Sequence, residues 1–304
     1  MRTAWWTWTL WIACRGCKAC GEPLPVDTAD DTDVSTDEPV ETDVVDTEPP
    51  PPCPNPESEP NGLDTPDALR LEELACGSFQ APLDIDAWEF DLAEDDWLLV
   101  RVAARSFGSR ADPALVLSSA RGGNAQVTAQ NSGFEDPMLL FPASAGRWTA
   151  LVIEETGQGD ADGYPYELLA GTAKAPVTWD VADPGDNESL AAAASLAFDD
   201  VLFGVIDNPT DADWYTVEVP VGKQALVLAI DAARWGSAGD FVLGLFDAGG
   251  KKVAEATTGP LGVERDPGLR YTSLGGEDLF LRVQESEGRS GEAYWYLLSA
   301  TVEE

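Results

Sequence analysis

The sequence predicts an all-β protein: two tandem antiparallel β-sandwiches of jelly-roll type behind a disordered acidic tether. Three observations carry that expectation. Twenty-two prolines and 28 glycines cut the 304 residues into short apolar runs, the pattern of strands parted by turns. Within the runs apolar residues alternate, as in Trp148, Ala150 and Val152 or Leu279, Leu281 and Val283, so one face of each strand is apolar. The phrase "DIDAWEFDL" at 84–92 returns as "DADWYTVEV" at 211–219, an offset of 211 − 84 = 127 residues, which marks a duplicated domain.

Composition narrows the function. The formal net charge is −37 and there is no histidine. Phosphates would be repelled and no basic patch exists to release counterions, so nucleic acid is excluded as a partner. Cations, neutral polymers and basic protein surfaces remain. Without histidine there is no Ser-His-Asp or Cys-His pair, and neither a nucleophile elbow nor a phosphate loop occurs. The chain is expected not to be an enzyme.

Residues 1–20, "MRTAWWTWTLWIACRGCKAC", place Arg2 before an apolar stretch too short to span a bilayer, which fits a signal peptide. Trp11-Ile12-Ala13-Cys14 resembles a bacterial lipobox, with tryptophan where leucine is usual. Cys20 before Gly21 offers a second start, with Lys18 an unusual neighbour. Export is therefore expected, either as an outer-membrane lipoprotein anchored through Cys14 or Cys20 or to the extracellular surface. The C-x-x-C-x-x-C spacing of Cys14, Cys17 and Cys20 lacks a fourth ligand in a domain-like context and reads as leader cysteines.

Residues 21–56 form the tether. Eleven acids and no lysine or arginine lie between Glu22 and Glu48, followed by "EPPPPCPNPESEP". Such a segment buries too little apolar surface to offset its chain entropy and is extended by its own charge. An oxidising compartment would permit a disulfide between Cys53 and Cys76, pinning the end of the tether to the first domain.

The repeats follow as 57–172 and 173–304. Gly77 matches Gly204, and "DPALVLSSARGG" at 112 matches "DFVLGLFDAGG" at 240. "EDPMLL" at 135 matches "RDPGLR" at 265, "GRWTALVIEE" at 146 matches "GEDLFLRVQE" at 276, and "YPYELLA" at 164 matches "YWYLLSA" at 294. "WLLVRVAA" from 97 and "ALVLAIDA" from 225 read as central strands; Ala68 and "SLAAAAS" hint at a helical turn near the start of each domain. Two packed sheets are the natural way to bury one face of each strand.

In this order the motifs resemble the bacterial pre-peptidase C-terminal domain, a β-sandwich module often attached to secreted peptidases and similar to the collagen-binding modules of clostridial collagenases. The resemblance spans both repeats. It implies calcium, because collagen-binding relatives use an E-x-E-x-N-D opening segment and aspartates ahead of an early strand to hold a hard cation that takes about six to eight oxygens. In the first repeat it implies Glu57, Glu59 and Asn61, with Gly62 in place of the last aspartate, completed by Asp84 and Asp86. In the second it implies Asp183, Asn187 and Glu188, with Gly185 replacing an acid, completed by Asp211 and Asp213. The plainer reading is that Asp86 and Asp213 cap a turn before a strand.

Phe107-Gly108-Ser109 and Trp235-Gly236-Ser237 occupy equivalent loops. Exposed aromatics stack on sugars or pack on a protein polymer, which makes Phe107 and Trp235 candidate ligand-binding residues; the alternative is that they plug the ends of the sandwiches. The expected function is that of a monomeric, non-catalytic cell-surface protein that binds an extracellular protein or polysaccharide and is stabilised by calcium, touching a membrane only through a lipid anchor. The alternative is a structural spacer or accessory subunit with no small ligand.

Overall fold

The first repeat folds as β1 (Asn55–Pro56), β2 (Asp67–Ala68), β3 (Ala75–Ser78), β4 (Ile85–Leu92), β5 (Asp96–Ala103), β6 (Pro113–Ser119), β7 (Asn124–Thr128), β8 (Met138–Ala143), β9 (Gly146–Glu154) and β10 (Pro165–Ala173). The second folds as β11 (Val181–Ala182), β12 (Ala194–Ser195), β13 (Val201–Val205), β14 (Asp213–Glu218), β15 (Gln224–Asp231), β16 (Phe241–Asp247), β17 (Lys252–Ala256), β18 (Gly268–Ser273), β19 (Asp278–Glu285) and β20 (Trp295–Glu303). This computed structural model describes residues 53–121, 124–128, 136–160, 162–222, 224–257 and 266–303. The leader with Cys14 and Cys20, and the tether up to residue 52, lie outside the described residues.

Each repeat is a pair of five-stranded sheets. The first pairs β1-β3-β10-β5-β8 with β2-β4-β9-β6-β7; the second pairs β11-β13-β20-β15-β18 with β12-β14-β19-β16-β17. Adding ten to every strand number of the first sandwich gives the second, so the duplication extends to the whole topology. Alternation decides the faces as expected: Trp148, Ala150 and Val152 on β9, and Leu279, Leu281 and Val283 on β19, are all buried. Gly77 and Gly204 recur because the rings of Tyr166 and Tyr296 lie over them, where any side chain would collide.

The sheets are not wholly antiparallel. β1 runs parallel to β3, β2 to β4, β11 to β13 and β12 to β14. The chain visits the opposite sheet between the members of each pair, so it returns in the same direction, a crossover rather than a hairpin. Ala68 belongs to β2 rather than a helix, while "SLAAAAS" supplies a 3-10 turn at Leu190–Ala192 and then β12.

Two recurring Asp-Pro pairs have a structural role. Asp136 accepts the N–H groups of Ala104, Arg105 and Ser106 and the Ser106 hydroxyl, holding the 3-10 turn Arg105–Phe107. Burial pushes its carboxyl up, but the Ser106 hydroxyl and these N–H groups together hold it below its ordinary value. Asp266 does the same for the turn Ala233–Trp235 through Ala232 and Ala233.

Residues Pro51–Glu304 form one compact unit, so the two sandwiches are joined rather than strung apart. Trp97 of β5 meets Trp295 of β20 edge-on at 5.2 Å between ring centroids. Phe203 of β13 lies 6.0 Å from both, and Trp179, from the connection between the sandwiches, stacks on Phe203 at 4.6 Å. Hydrogen bonds tie the same joint: Trp295 Nε1 donates to Leu140 O at 2.6 Å, Leu140 N to Gly236 O at 2.9 Å, and Ser144 N to Glu292 Oε2 at 3.0 Å.

Cys53 and Cys76 form a disulfide across 23 residues, fastening β1 to β3. Closing a loop of that length restricts the unfolded chain by about 3 kcal/mol. Cys53→Ser is expected to lower the unfolding free energy by that order under non-reducing conditions. Equal denaturation midpoints for the variant and the oxidised parent would contradict this.

Candidate metal centre

The opening segment of each sandwich lies along the strand that carries the second aspartate. Ala87 N donates to Asn61 O at 2.7 Å in the first copy, and Trp214 N to Asn187 O at 2.8 Å in the second. Each clamp sets the side chains of the opening segment against β4 or β14, and the two copies then diverge.

In the first copy Glu57, Glu59 and Asp86 each bring one carboxylate oxygen within 4.8 Å of the others. Oxygens bonded to one calcium at about 2.3–2.6 Å lie within about 5 Å of each other, so the spacing fits a single ion. Glu59 is exposed at the mouth, Glu57 is half-buried and Asp86 is fully buried. Asp86 Oδ2 has no hydrogen-bond partner among the described residues, and leaving a buried ionisable oxygen unpaired costs more than about 1–3 kcal/mol. None of the ion pairs among the described residues reaches these three acids.

Asn61 is buried between them. Turned one way, its NH2 donates to Glu59 Oε2 at 3.3 Å and Asp86 Oδ1 at 3.2 Å. Turned the other way, its oxygen joins theirs and Nδ2 reaches Asp67 Oδ2 at 3.4 Å. The second orientation gives a donor set made only of oxygen, which suits a hard cation. Asp67 also accepts Ser58 N at 2.7 Å and so anchors the segment.

Asp84 is placed differently from Asp86. It closes the preceding turn, with Oδ2 accepting Gln80 N at 2.6 Å and Oδ1 accepting Ile85 N at 3.2 Å. Asp211 repeats this by accepting Asp207 N at 2.9 Å. Turn capping therefore falls to Asp84 and Asp211 and not, as the sequence suggests, to Asp86 and Asp213, which are buried on β4 and β14.

In the second copy Gly185 stands where Glu59 does, and Tyr215 where Trp88 does. Tyr215 donates its hydroxyl to Asp183 Oδ1 at 2.6 Å, and Asn187 Nδ2 reaches the same oxygen at 2.9 Å. Tyr215 and Tyr296 hydroxyls are 2.6 Å apart, and Tyr296 lies 2.5 Å from Asp213 Oδ2. Three short O···O contacts in a row need three protons and the two phenols supply only two. Burial pushes Asp213 up to about 8 against the pull of the Tyr296 hydroxyl, the direction that favours a shared proton in this row. Two phenol groups thus bridge the acids of the second copy, where the first copy has Trp88 in place of Tyr215. Glu188 is exposed and makes no hydrogen bond to this row among the described residues. In the first copy Trp88 donates Nε1 to Tyr166 at 3.1 Å and offers nothing to Glu57.

Burial also pushes Asp86 up to about 8 against the pull of the Tyr166 hydroxyl, and Glu57 to about 7 against the pull of Ser78 N–H, with neighbouring carboxylates adding to both. These folded-state values exceed the unfolded ones, so the stability they contribute is full below the unfolded values and lost as pH rises through about 7–8. In EDTA the melting temperature is expected to fall from about pH 5 to about pH 8.5, and less steeply in calcium, which binds the ionised form. A flat or rising profile in EDTA would contradict the assignment.

The aromatic loops also diverge. Phe107 is 48% exposed. Trp235 is half-buried, packs against the core and has its Nε1 enclosed, because its loop sits on the first sandwich. The sequence pairs the two as ligand platforms, but only Phe107 presents a free ring.

In comparisons with known proteins, no family profile and no curated sequence matches the chain. Among solved structures it is similar to the pre-peptidase C-terminal domain of a Bacillus anthracis collagenase, at 14% identity over 36% of this chain and 94% of that domain, with a TM-score of 0.29. It is also similar to the tandem CBM51 modules of a family 98 glycoside hydrolase from Streptococcus pneumoniae, at 9% identity over 76% of this chain and 83% of that one, TM-score 0.23. A third is the M60 catalytic domain with two CBM51 domains of Clostridium perfringens ZmpB, at 7% identity over 75% and 36%, TM-score 0.23. Likeness at this level carries no argument about partners; the tandem β-sandwich fold rests on the strand order and register themselves.

Proposed function

We propose that the chain is a non-catalytic, exported binding protein whose first sandwich folds around one calcium ion and whose second has replaced the ion with a row of phenol and carboxyl protons. The observations that carry this are the grouping of carboxylate oxygens from Glu57, Glu59 and Asp86 within 4.8 Å of one another and the buried Asp86 Oδ2 that has no hydrogen-bond partner among the described residues. Glu57, Glu59, Asp86 and the Asn61 amide oxygen would hold the ion, with water at the exposed Glu59 side. Asp84 neighbours the site and adds negative field to Glu59 and Asp86. In this reading Asp183, Asn187, Glu188, Asp211 and Asp213 hold no metal.

The resemblance to pre-peptidase C-terminal and collagen-binding modules supports an extracellular protein or polysaccharide as the partner. The Cys53–Cys76 disulfide supports an oxidising compartment, and an exterior rich in calcium would keep the first sandwich loaded. Among the described residues no helix is long and apolar enough to cross a membrane, and a lipid on Cys14 or Cys20 would supply an anchor. The burial of Trp235 in the joint favours a second reading, a rigid spacer with no small ligand, because it removes one of the two aromatic platforms.

The experiment is to melt the full chain in EDTA and in millimolar calcium, then screen the loaded chain against glycans and matrix proteins. A calcium-dependent rise in melting temperature is expected. Its absence would reject the metal, and a rise with no binder in the screen would leave the spacer reading standing.

A further inference from the structure

The joint between the sandwiches is built from surfaces that each sandwich owns in duplicate. The second contributes its Trp235-Gly236 loop, Glu292 and Trp295; the first contributes the outer edge of β8 at Leu140 and the corner at Ser144. By the repeat offsets, the loop corresponds to Phe107-Gly108 (236 − 108 = 128), and Glu292 to Asp162 (292 − 162 = 130). Leu140 corresponds to Arg270 on β18 (270 − 140 = 130) and Ser144 to Leu274 (274 − 144 = 130). Among the described residues the chain therefore carries one unused loop on its first sandwich and one unused edge on its second.

Both unused halves have the shape of the used ones. Gly108 and Gly236 cap their 3-10 turns at φ +93° and +92°, and Asp136 and Asp266 hold the two turns alike. A Cβ on Gly236 would lie 2.9 Å from Leu140 N, whereas Gly108 has nothing within 4 Å. On the second sandwich, β18 is the last strand of its sheet, and Arg270 pairs with Val227 as Leu140 pairs with Leu99. Its N–H and C=O therefore point outward, as those of Leu140 do, and neither has a partner outside the sheet among the described residues.

The Arg270 side chain does not block that edge. It lies back over the sheet to Glu303 on β20, with Nε 2.7 Å and Nη2 2.5 Å from the carboxylate. At the adjoining corner Leu274 is 81% exposed and Val221 is 90% exposed, an apolar pair where Ser144 is covered in the first sandwich. A bare strand edge beside exposed aliphatics is a surface ready to pair with another chain.

We propose that the occupant of each free half is a second copy of this chain: the Phe107-Gly108 loop of one copy seats on the β18 edge of the next, in the arrangement that Trp235-Gly236 makes on β8. Gly108 O accepts Arg270 N of the next copy, Phe107 lies against the β18 edge beside it, and Asp162 meets the corner at Leu274 as Glu292 meets Ser144. The two surfaces differ, so the contact is heterologous and propagates as an open row rather than closing as a dimer. Pro165 stands where Trp295 does (295 − 165 = 130) and lacks the indole donor, so the contact between copies is weaker than the joint and the chain is a monomer when dilute. With a net charge of −37, association strengthens as salt screens the repulsion.

Sedimentation equilibrium of the full chain, at rising concentration and in rising salt, tests this. The weight-average mass is expected to climb from the 32.4 kDa of one chain past that of two. Phe107→Asp and Leu274→Asp, both at exposed positions and so leaving the melting curve unchanged, are each expected to abolish the rise. Their mixture is expected to form a dimer and stop there, since each variant keeps one intact surface. A single-chain mass at every concentration, association that survives Phe107→Asp, or a mixture that stays monomeric would overturn the proposal.

Discussion

Replacing Trp295 with alanine is expected to lower the stability of the protein by about 3–5 kcal/mol, the usual cost of removing a fully buried large aromatic. The loss has a second component that a simple core position lacks. Trp295 is 0% exposed, packs edge-on against Trp97 and donates its indole N–H to Leu140 O. Its removal leaves a cavity in the joint beside Trp97 and Phe203 and strips the first sandwich of a contact on its β8 edge. The unfolding of the variant is therefore expected to separate into two transitions, where the parent unfolds in one. A single transition at the parent's midpoint would show that the joint carries little of the stability.

Asp86→Asn is expected to change stability in opposite senses with and without metal. In EDTA at neutral to alkaline pH, the variant should melt higher than the parent, because it removes a buried carboxyl that resists ionisation and gives Glu57 and Glu59 an amide donor. In calcium the order should reverse. The parent gains about 2.7 kcal/mol at a hundred times its dissociation constant, while the variant, one anionic ligand short, gains little. Asp213→Asn is expected to leave the calcium response as in the parent, since Asp213 belongs to the proton-filled row. Equal responses of the parent and Asp86→Asn would remove Asp86 from the ligand set.

Much of the fold was legible because it depends on short-range periodicity. Alternation along "WTALV" and "LFLRV" puts one face inward whatever the rest of the chain does, and two copies in one order make the register mutually consistent. The parallel edge strands were not legible, since two-residue strands such as Asn55–Pro56 carry no periodic signal. The joint was hidden for another reason: Trp97 and Trp295 lie on the faces of their strands opposite Leu98 and Val100 or Tyr296 and Leu298, and alternation does not say what covers an outward aromatic.

At the candidate site the residue types were legible and their division of labour was not. Asp84 and Asp86 are two apart and look alike, yet β4 begins at Ile85, so only the second is fixed by the strand and turned inward. Tyr215 and Trp88 read alike as aromatic strand residues. The Tyr215 hydroxyl that meets Asp183, 32 positions away, is the contact that sets the second copy apart. Asp67 sits in no recurring phrase, and its grip on Ser58 and Asn61 is visible only in three dimensions.

The central claim is that one sandwich of two holds calcium, and the stoichiometry tests it most directly. Isothermal titration of the metal-free full chain with calcium is expected to give one site per chain, lost in Asp86→Asn and retained in Asp213→Asn. Two sites, none, or one site that survives Asp86→Asn would contradict the account.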